Sequence, residues 1–397
     1  MNKTFPAGAH VPPAAAAAMN RRTMLKQAGG LALWAGLPQL GLAAGAAGPF
    51  SAAAQQTVAR YLESLAKPDG GYGWPEQYDS HLSVTFAVVG AYHALGLTAP
   101  RPGKTAAFVR RGHPTGGPHA ETRAHATELK EFVSQQIQSL LWLGQDASEF
   151  RRVVQGKGWA SISSYNTYYE KGENPILRQE VQPIFCRELL GLSVDDLPAA
   201  FADYLAARRR ADGTFNNTPA SDGSGGHLVN TYFCLRARRA LGIATSPEVA
   251  DWINRCQTGS GGFTWSPTPL IGGVADVSYT WAAVHALALL GQKPVRPSAC
   301  VDWLRSLWNE DGGFADRPGA ASTAMATFRA LDVLRMLGAS VGNQRRPLPK
   351  SRPLPTDLQA YTIQIQASCV PRMNSSRAVR NAAWPCEFAR AMGPAAT

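Results

Sequence analysis

Three ionisable side chains occupy the same position in three stretches of the chain that are otherwise apolar. His81, His227 and Asp276 each lie fifteen residues before the glycine of a Leu-Gly pair. Imidazole and carboxylate groups can move protons and can bind metal ions. The same residue types can also cap helix N-termini, where aspartate is more favourable than alanine by about 0.5–2 kcal/mol. Because the three share one phase, we expect them to line a common cavity, with simple capping as the alternative for each.

The Leu-Gly pairs that set this phase recur along most of the chain. Successive glycines are separated by 48, 47, 51, 49 and 47 residues. A glycine after an apolar helical run ends the helix in a left-handed conformation, because it has no Cβ. The pairs therefore predict six copies of one helical unit. Their glycines are Gly96, Gly144, Gly191, Gly242, Gly291 and Gly338.

Each unit has the same internal order. An amphipathic helix, as in residues 249–256, precedes a glycine-aromatic loop and then a helix that is apolar nearly all round, as in residues 277–290. A helix that is apolar on every side must be buried between other elements. Six such helices inside six amphipathic ones predict an all-α fold over residues 50–342. We expect a closed α/α toroid (an α6/α6 barrel) with a central cavity, followed by a short irregular C-terminal tail.

The N-terminal segment has the composition of an export signal. Residues 20–26 (NRRTMLK) form a twin-arginine pattern, and an apolar run over residues 29–42 follows it. That run is shorter than the ~20 residues of a membrane span and contains Pro38. Residues 1–48 are therefore predicted to be a twin-arginine signal region, and the protein to be periplasmic or secreted.

The C-terminal segment is basic and rich in proline. Residues 343–356 predict an extended linker, and residues 357–397 form a tail without an assigned structure. From residue 339 onward the chain has eight basic residues and two acidic ones, Asp357 and Glu387. This surplus favours an anionic membrane surface as a partner. The sequence contains no recognised nucleic-acid-binding motif, so nucleic acid is not predicted as a partner.

The repeats resemble those of the prenyltransferase and squalene-cyclase superfamily of α/α toroids. Residues 69–91 (DGGYGWPEQYDSHLSVTFAVVGA) are similar almost residue for residue to the first repeat of protein prenyltransferase β subunits. The resemblance extends over roughly residues 55–340. It implies that the inner helices present their first residues to a central cavity, and that the ligand is an isoprenoid or another apolar small molecule.

The resemblance also assigns candidate roles to single residues. Asp276 matches the aspartate of the family's zinc site, whereas Tyr279 and His227 match a tyrosine and a histidine near the diphosphate. These three are the candidate catalytic residues. Aromatic rings can stabilise cations and contact an apolar chain. The candidate substrate-binding residues are accordingly His81, Trp74, Trp265 and Trp281.

The chain departs from the family at the metal site. Ser278 stands where the family has a cysteine ligand, and the histidine of the next repeat falls on Met325 or a neighbour. A hydroxyl and a thioether do not replace thiolate and imidazole as zinc ligands. The basic residues that the family places three and six positions before the aspartate are Gly273 and Leu270 here. We therefore predict no metal or other cofactor, and we do not expect zinc-dependent protein prenylation.

Three functions remain open on the sequence. The first is an enzyme related to prenyltransferases or terpene cyclases, with Asp276 as acid or metal ligand. The second is a carrier that keeps the apolar cavity but has lost the chemistry. The third is a scaffold for protein partners, with the basic C-terminal segment as its docking region.

Overall fold

The computed structural model describes residues 50–112, 130–156, 159, 177–197, 199–268 and 272–339. The predicted signal region, linker and C-terminal tail lie outside these residues. The helices in chain order are α1 (Ala52–Ser64), α2 (Leu82–Ala94), α3 (Pro102–Arg111), α4 (Lys130–Trp142), α5 (Arg151–Val154), α6 (Leu177–Glu180), α7 (Gln182–Leu189), α8 (Ala200–Ala207), α9 (Leu228–Ala240), α10 (Glu248–Arg255), α11 (Val277–Leu289), α12 (Pro297–Arg305) and α13 (Ala324–Met336).

Two short 3-10 turns and two short strands complete the described secondary structure. The turns cover Ser148–Phe150 and Ala220–Asp222. Strands β1 (Phe314–Ala315) and β2 (Ser322–Thr323) form one antiparallel pair in the sixth repeat, with Phe314 opposite Thr323. This pair brackets the loop that precedes α13.

The inner helices of the six repeats form a closed ring. In order around the ring they are α2, α4, the pair α6 and α7, α9, α11 and α13. Each packs against the next, and α13 packs against α2. The contact between the last and the first inner helix excludes an open spiral. The prediction of a closed α/α toroid is confirmed, and α1, α3, α5, α8, α10 and α12 are the outer helices.

The glycines of the Leu-Gly pairs end the inner helices as predicted. All six have positive φ angles, between 63° and 73°. After α2, for example, the N–H of Gly96 donates to the carbonyl of His93, and the N–H of Leu97 donates to that of Tyr92. These bonds satisfy carbonyl groups that the end of a helix leaves free. Local glycine geometry thus sets the length of each unit.

A repeated contact fastens the glycine-aromatic loop to the start of the inner helix. In four repeats the N–H of the buried loop aromatic donates to a threonine hydroxyl in that helix. In three of them the aromatic's carbonyl accepts a hydrogen bond from the N–H of the residue just before the helix. Those three residues are His81, His227 and Asp276, so the loop fixes the backbone of each candidate residue. The aromatic–threonine pairs are Tyr72 with Thr85, Phe215 with Thr231, Phe263 with Thr280 and Phe314 with Thr327.

Two further features of the described residues concern the cysteines and the lengths of the helices. Cys186, Cys234, Cys256 and Cys300 are buried free thiols. No helix in the described ranges is both long and apolar enough to cross a membrane.

Candidate functional site

The three in-phase residues stand directly before inner helices, as their spacing predicts. Nδ1 of His81 accepts a hydrogen bond from the backbone N–H of Ser83 at 3.3 Å. Oδ1 of Asp276 accepts one from the N–H of Ser278 at 2.8 Å. His227 makes no side-chain capping bond. Capping therefore accounts for two of the three residues and leaves the imidazole of His227 without that role.

Asp276 is bound on its second oxygen by an arginine from the neighbouring repeat. The residue is only 8% exposed, and its Oδ2 accepts a hydrogen bond from Nε of Arg317 at 3.1 Å. Arg317 lies in the loop between β1 and β2. The N–H of Val277 donates to the carbonyl of Asp316 and holds this loop over the start of α11. A cation thus reaches Asp276 from the next repeat, and the family positions Gly273 and Leu270 do not indicate it.

His227, Trp265 and Tyr279 form an aromatic cluster beside Asp276. The rings of His227 and Trp265 stack with centroids 5.2 Å apart, and Tyr279 presents its edge to His227 at 6.0 Å. Nδ1 of His227 is buried and makes no hydrogen bond in the described part of the chain. Burial lowers the pKa of His227 to about 4, so its imidazole is neutral at neutral pH.

The charge of Asp276 also acts on Tyr279. Burial raises the pKa of the Tyr279 hydroxyl and Asp276 adds to that rise, whereas Arg317 opposes it. The structure therefore brings together the three predicted catalytic residues and one predicted substrate-binding residue, Trp265. Together these side chains present a buried neutral imidazole, a protonated phenol and an ion pair.

Trp74 and His81 form an aromatic pair in the first repeat. Their ring centroids are 4.6 Å apart, with the planes inclined at 52°. Trp74 is 40% exposed, which leaves much of its ring open to a ligand or to solvent. Trp74 and Trp265 lie in equivalent loops of the first and fifth repeats. The toroid therefore has a histidine–tryptophan contact at two places.

Trp281 belongs to a polar cluster further along α11. Its Nε1 donates to Oδ2 of the buried Asp332 at 2.9 Å, and Nε2 of His285 lies 2.7 Å from the same oxygen. Arg335 donates to Oδ1 of Asp332 at 3.0 Å. Burial alone would raise the pKa of Asp332, but His285, Arg335 and Trp281 together hold it below its usual range. Asp332 and His285 could not be predicted from the sequence, because the two lie in different repeats.

Arg329 of α13 contacts the serine that stands at the family's cysteine position. Its Nη1 donates to Oγ of Ser278 at 2.6 Å, and its guanidinium carbon lies 5.9 Å from the centre of the Trp281 ring. Burial lowers the pKa of Arg329, whereas the negative charge of Asp316 opposes that effect. Residue type alone gave no signal for Arg329, because arginine is common on exposed helical faces.

The donor set at this position does not suit a zinc ion. Ser278 and Asp276, two of the three family ligand positions, each contact a guanidinium group. A divalent cation placed between them would be repelled by both arginines and would lack thiolate and imidazole ligands. Within the described ranges, no three His, Cys, Asp or Glu side chains are grouped closely enough to hold a metal.

The inner side of the ring carries large aromatic residues on the first, second and sixth repeats. The rings of Trp142 and Phe328 lie 5.4 Å apart, and both contact Phe86 of the helix between them. Gly90 of α2 makes this packing possible, since a Cβ there would lie 2.8 Å from Phe328 and 2.9 Å from Trp142. These rings form an aromatic wall on the inner face of α2.

Two surface clefts are separate from the predicted site. One of about 280 Å³ lies between the ends of α9 and α11, and another of about 270 Å³ lies along α12. The seven predicted site residues are absent from the linings of both clefts.

The comparisons with known proteins agree with this architecture. The model of the prenyltransferase alpha-alpha toroid domain matches residues 42–140 and 184–366. The chain therefore belongs to the prenyltransferase-type toroid family.

The solved structures that match this chain include two with 14% sequence identity. Candida albicans protein geranylgeranyltransferase-I complexed with GGPP is 14% identical, and the alignment covers 71% of this chain and 90% of that one with a TM-score of 0.53. At this identity the likeness shows the fold. A protein from Actinoplanes is also 14% identical over 72% of this chain and 98% of that one, with a TM-score of 0.30. The search of curated proteins gave no match.

Proposed function

We propose that this protein binds an isoprenoid or a related lipid within its ring, and that it does so without the family's zinc ion. The observation that supports this most directly is the grouping of His227, Trp265, Tyr279 and Asp276 at the start of neighbouring inner helices. A closed ring gives an apolar chain a place to be buried, and a few convergent polar groups give it an orientation. The similarity to the Candida protein, which is complexed with GGPP, supports an isoprenoid as the ligand class.

The aromatic walls suit such a ligand. One side of the helical toroid carries the aromatic side chains of Phe86, Trp142 and Phe328. Trp281 of α11 lies on another side. Aromatic faces contact apolar chains closely and interact favourably with positive charge. The apolar central space expected from the sequence is part of this proposal.

The hydrogen bonds of Asp276 and the low pKa of His227 favour ligand binding over proton transfer. Both oxygens of Asp276 accept hydrogen bonds, so a proton on either would replace an existing contact. His227 is neutral and has a pKa of about 4, which makes it a weak base at neutral pH. These two observations support a carrier or receptor role.

Catalysis is the second candidate. Groups with perturbed pKa values concentrate at catalytic sites, and Tyr279 and His227 are such groups in contact with each other. An enzyme of the terpene-cyclase or prenyltransferase type would then use Asp276. Replacing Asp276 by asparagine should abolish turnover of an isoprenoid substrate and leave the fold intact.

Export is also part of the proposal. The twin-arginine pattern of residues 20–26 supports work in the periplasm or outside the cell, and the basic C-terminal segment supports contact with an anionic membrane surface. A fusion of residues 1–48 to a reporter should be exported, and replacing Arg21 and Arg22 by lysine should prevent it.

Titration with farnesol by tryptophan fluorescence and calorimetry tests lipid binding. We expect saturable binding to the full chain and at least tenfold weaker binding to W265A, since that variant removes a ring of the proposed site. Y78A is the matched control, because Tyr78 is an aromatic loop residue that is 83% exposed. Equal affinity of W265A and the unmodified chain, or no binding at all, would contradict the proposal.

A further inference from the structure

We propose that the exposed loop of residues 74–79 binds the ammonium head groups of a zwitterionic phospholipid membrane. The inference deepens the proposed function, on which it rests for the reason that a lipid-binding toroid would face a membrane. It concerns the outer surface of the loop and not the interior of the toroid. The basic C-terminal segment is a separate element, because residues 74–79 include two acidic side chains and no lysine or arginine.

The loop presents two aromatic side chains to solvent. Its six residues, WPEQYD, are all exposed and lie between the buried Gly73 and Ser80. Trp74 and Tyr78 are the two residues with exposed Trp, Tyr or Phe side chains in the part of the chain that the structure describes. Because exposed apolar surface that is gathered at one place marks an interaction site, this loop is the strongest candidate on the described surface.

The loop is held in one shape by contacts within the first repeat. Nζ of Lys67 donates to the carbonyl of Trp74 at 2.9 Å and also to the carbonyl of Gln77. At the base of the loop, a Cβ on Gly73 would lie 2.3 Å from the carbonyl oxygen of Asp79, so the two ends of the loop are in close contact. Since the backbone is already ordered, binding through the exposed side chains costs little conformational entropy.

The loop lies at the end of the toroid where the inner helices begin. It connects α1 to α2, and the ring of Trp74 lies 4.6 Å from that of His81, which directly precedes α2. Val274, in the equivalent loop of the fifth repeat, is exposed at the same end. A membrane that contacts residues 74–79 would therefore face this end of the toroid.

The chemistry of the loop suits an ammonium group. The faces of Trp and Tyr rings attract cations, and choline is recognised in this way. Glu76 and Asp79 are exposed on either side of Tyr78 and add negative charge. The closest lysine or arginine in the sequence is Lys67, whose ammonium group donates to carbonyls of the loop itself. These carboxylates would attract choline or ethanolamine head groups and would be repelled by an anionic lipid surface.

The size of the exposed surface favours a membrane over a protein partner. A stable protein interface buries about 800 Å² on each partner, whereas one aromatic side chain buries about 150–250 Å². The partly exposed Trp74 and Tyr78 provide less than such an interface requires. A membrane needs no complementary surface, because Trp and Tyr place their apolar part among the lipids and keep their polar atom hydrated.

The experiment is sedimentation of the full chain with sucrose-loaded vesicles of phosphatidylcholine, without any isoprenoid. About 0.5 M salt screens the charges of the C-terminal segment and leaves the short-range contacts of the aromatic side chains. We expect Y78A to bind at least threefold more weakly than the full chain. V295A is the matched control and should bind as the full chain does, because Val295 is an exposed apolar residue between α11 and α12, at the opposite end of the toroid.

A charge reversal tests the ammonium group itself. E76K should weaken binding to phosphatidylcholine vesicles and strengthen binding to phosphatidylglycerol vesicles, because it replaces an attractive carboxylate by a cation. E248K makes the same change at the exposed start of α10, at the opposite end of the toroid, and should leave both affinities unchanged. An E76K variant that bound phosphatidylcholine as tightly as the full chain, or more tightly, would overturn the assignment of the head group.

Two further measurements exclude misfolding and separate this proposal from lipid binding within the toroid. Y78A should unfold at the same temperature as the full chain, because the Tyr78 side chain is exposed, and should bind dissolved farnesol with unchanged affinity. Vesicle binding that is absent in the full chain, or equal in Y78A and the full chain, would overturn the membrane proposal and leave farnesol binding unaffected. Vesicle binding that requires Tyr78, in a chain that does not bind farnesol, would overturn the proposed function alone.

Discussion

Arg317 donates from Nε to Oδ2 of Asp276 over 3.1 Å, and so connects the loop before α13 to the first turn of α11. Asp276 also caps α11 through its other oxygen. One carboxylate thus joins two consecutive repeats at the inner edge of the ring. Its two contacts can be separated by substitution, because asparagine can still cap a helix but cannot form the ion pair.

Replacing Asp276 by asparagine should cost little stability. Arg317 is 48% exposed on its side chain, and exposed pairs of this kind contribute about 0–1 kcal/mol. Alanine at position 276 also removes the cap and should cost about 1–2 kcal/mol in total. Chemical denaturation of both variants measures the difference. Thr323→Ala is the control, because it removes a helix cap that has no ion pair. If D276N were as unstable as D276A, the cap would not be the larger contribution of Asp276.

The buried imidazole of His227 should make stability depend on pH between about 6.5 and 4. Its folded pKa of about 4 lies below the ordinary value of 6.5, so the unfolded chain binds a proton more readily than the folded one. Its contribution is present above pH 6.5 and is lost as the pH falls toward 4. The loss is on the order of 3 kcal/mol over the whole window.

His227→Phe removes this titration and keeps a ring against Trp265. Denaturant unfolding at pH 7 and pH 5 should show a smaller decrease in stability for H227F than for the full chain. Equal decreases in the two proteins would mean that His227 is not buried in its neutral form.

Asp332 should add a second acid-sensitive range. Its pKa is held below the ordinary value by His285, Arg335 and Trp281, although burial opposes them. A carboxyl group with a lowered folded pKa stabilises the fold above its unfolded pKa of about 3.9, and this contribution is lost as the pH falls below that value. D332N should therefore be less stable than the full chain at pH 7 and should lose less additional stability below pH 4. Parallel stability–pH curves for the two proteins would contradict the account.

The helix-ending glycines should be replaceable only at a cost set by the backbone. Gly291 has a φ of 70°, and a Cβ there would meet nothing within 4 Å. Alanine at position 291 should cost about 1 kcal/mol from backbone strain alone. Gly103 of α3 is the control, because it has a negative φ and equally open surroundings. Alanine there should stabilise the protein by about 0.4–1 kcal/mol in thermal or chemical unfolding, and equal effects at both sites would refute the argument.

The fold could be predicted from the sequence because each repeat is defined locally. A Leu-Gly pair ends the inner helix, and the loop aromatic together with a threonine one turn into that helix fixes its start. The Leu-Gly pair and the aromatic–threonine pair both lie within one repeat, so they can be recognised from the sequence of that repeat alone. The same local order placed His227 and Asp276 before their helices. The relation of each to Trp265 or Arg317 depends on the next unit.

The partners of the site could not be predicted because they come from other repeats. Arg317 reaches Asp276, Arg329 reaches Ser278, and Asp332 reaches Trp281 across more than forty residues of sequence. The family has basic residues three and six positions before the aspartate, whereas this chain has Gly273 and Leu270 there. The sequence around Asp276 therefore does not predict a cation beside it. The packing of the sixth repeat against the fifth supplies two arginines, which only the three-dimensional arrangement reveals.

Native mass spectrometry of the full chain, performed together with zinc analysis on the same sample, tests the central claim most directly. The account predicts one farnesyl diphosphate bound per chain after treatment with EDTA, and no stoichiometric zinc before it. A chain that holds one zinc ion, and that binds the ligand only when this ion is present, would contradict the account.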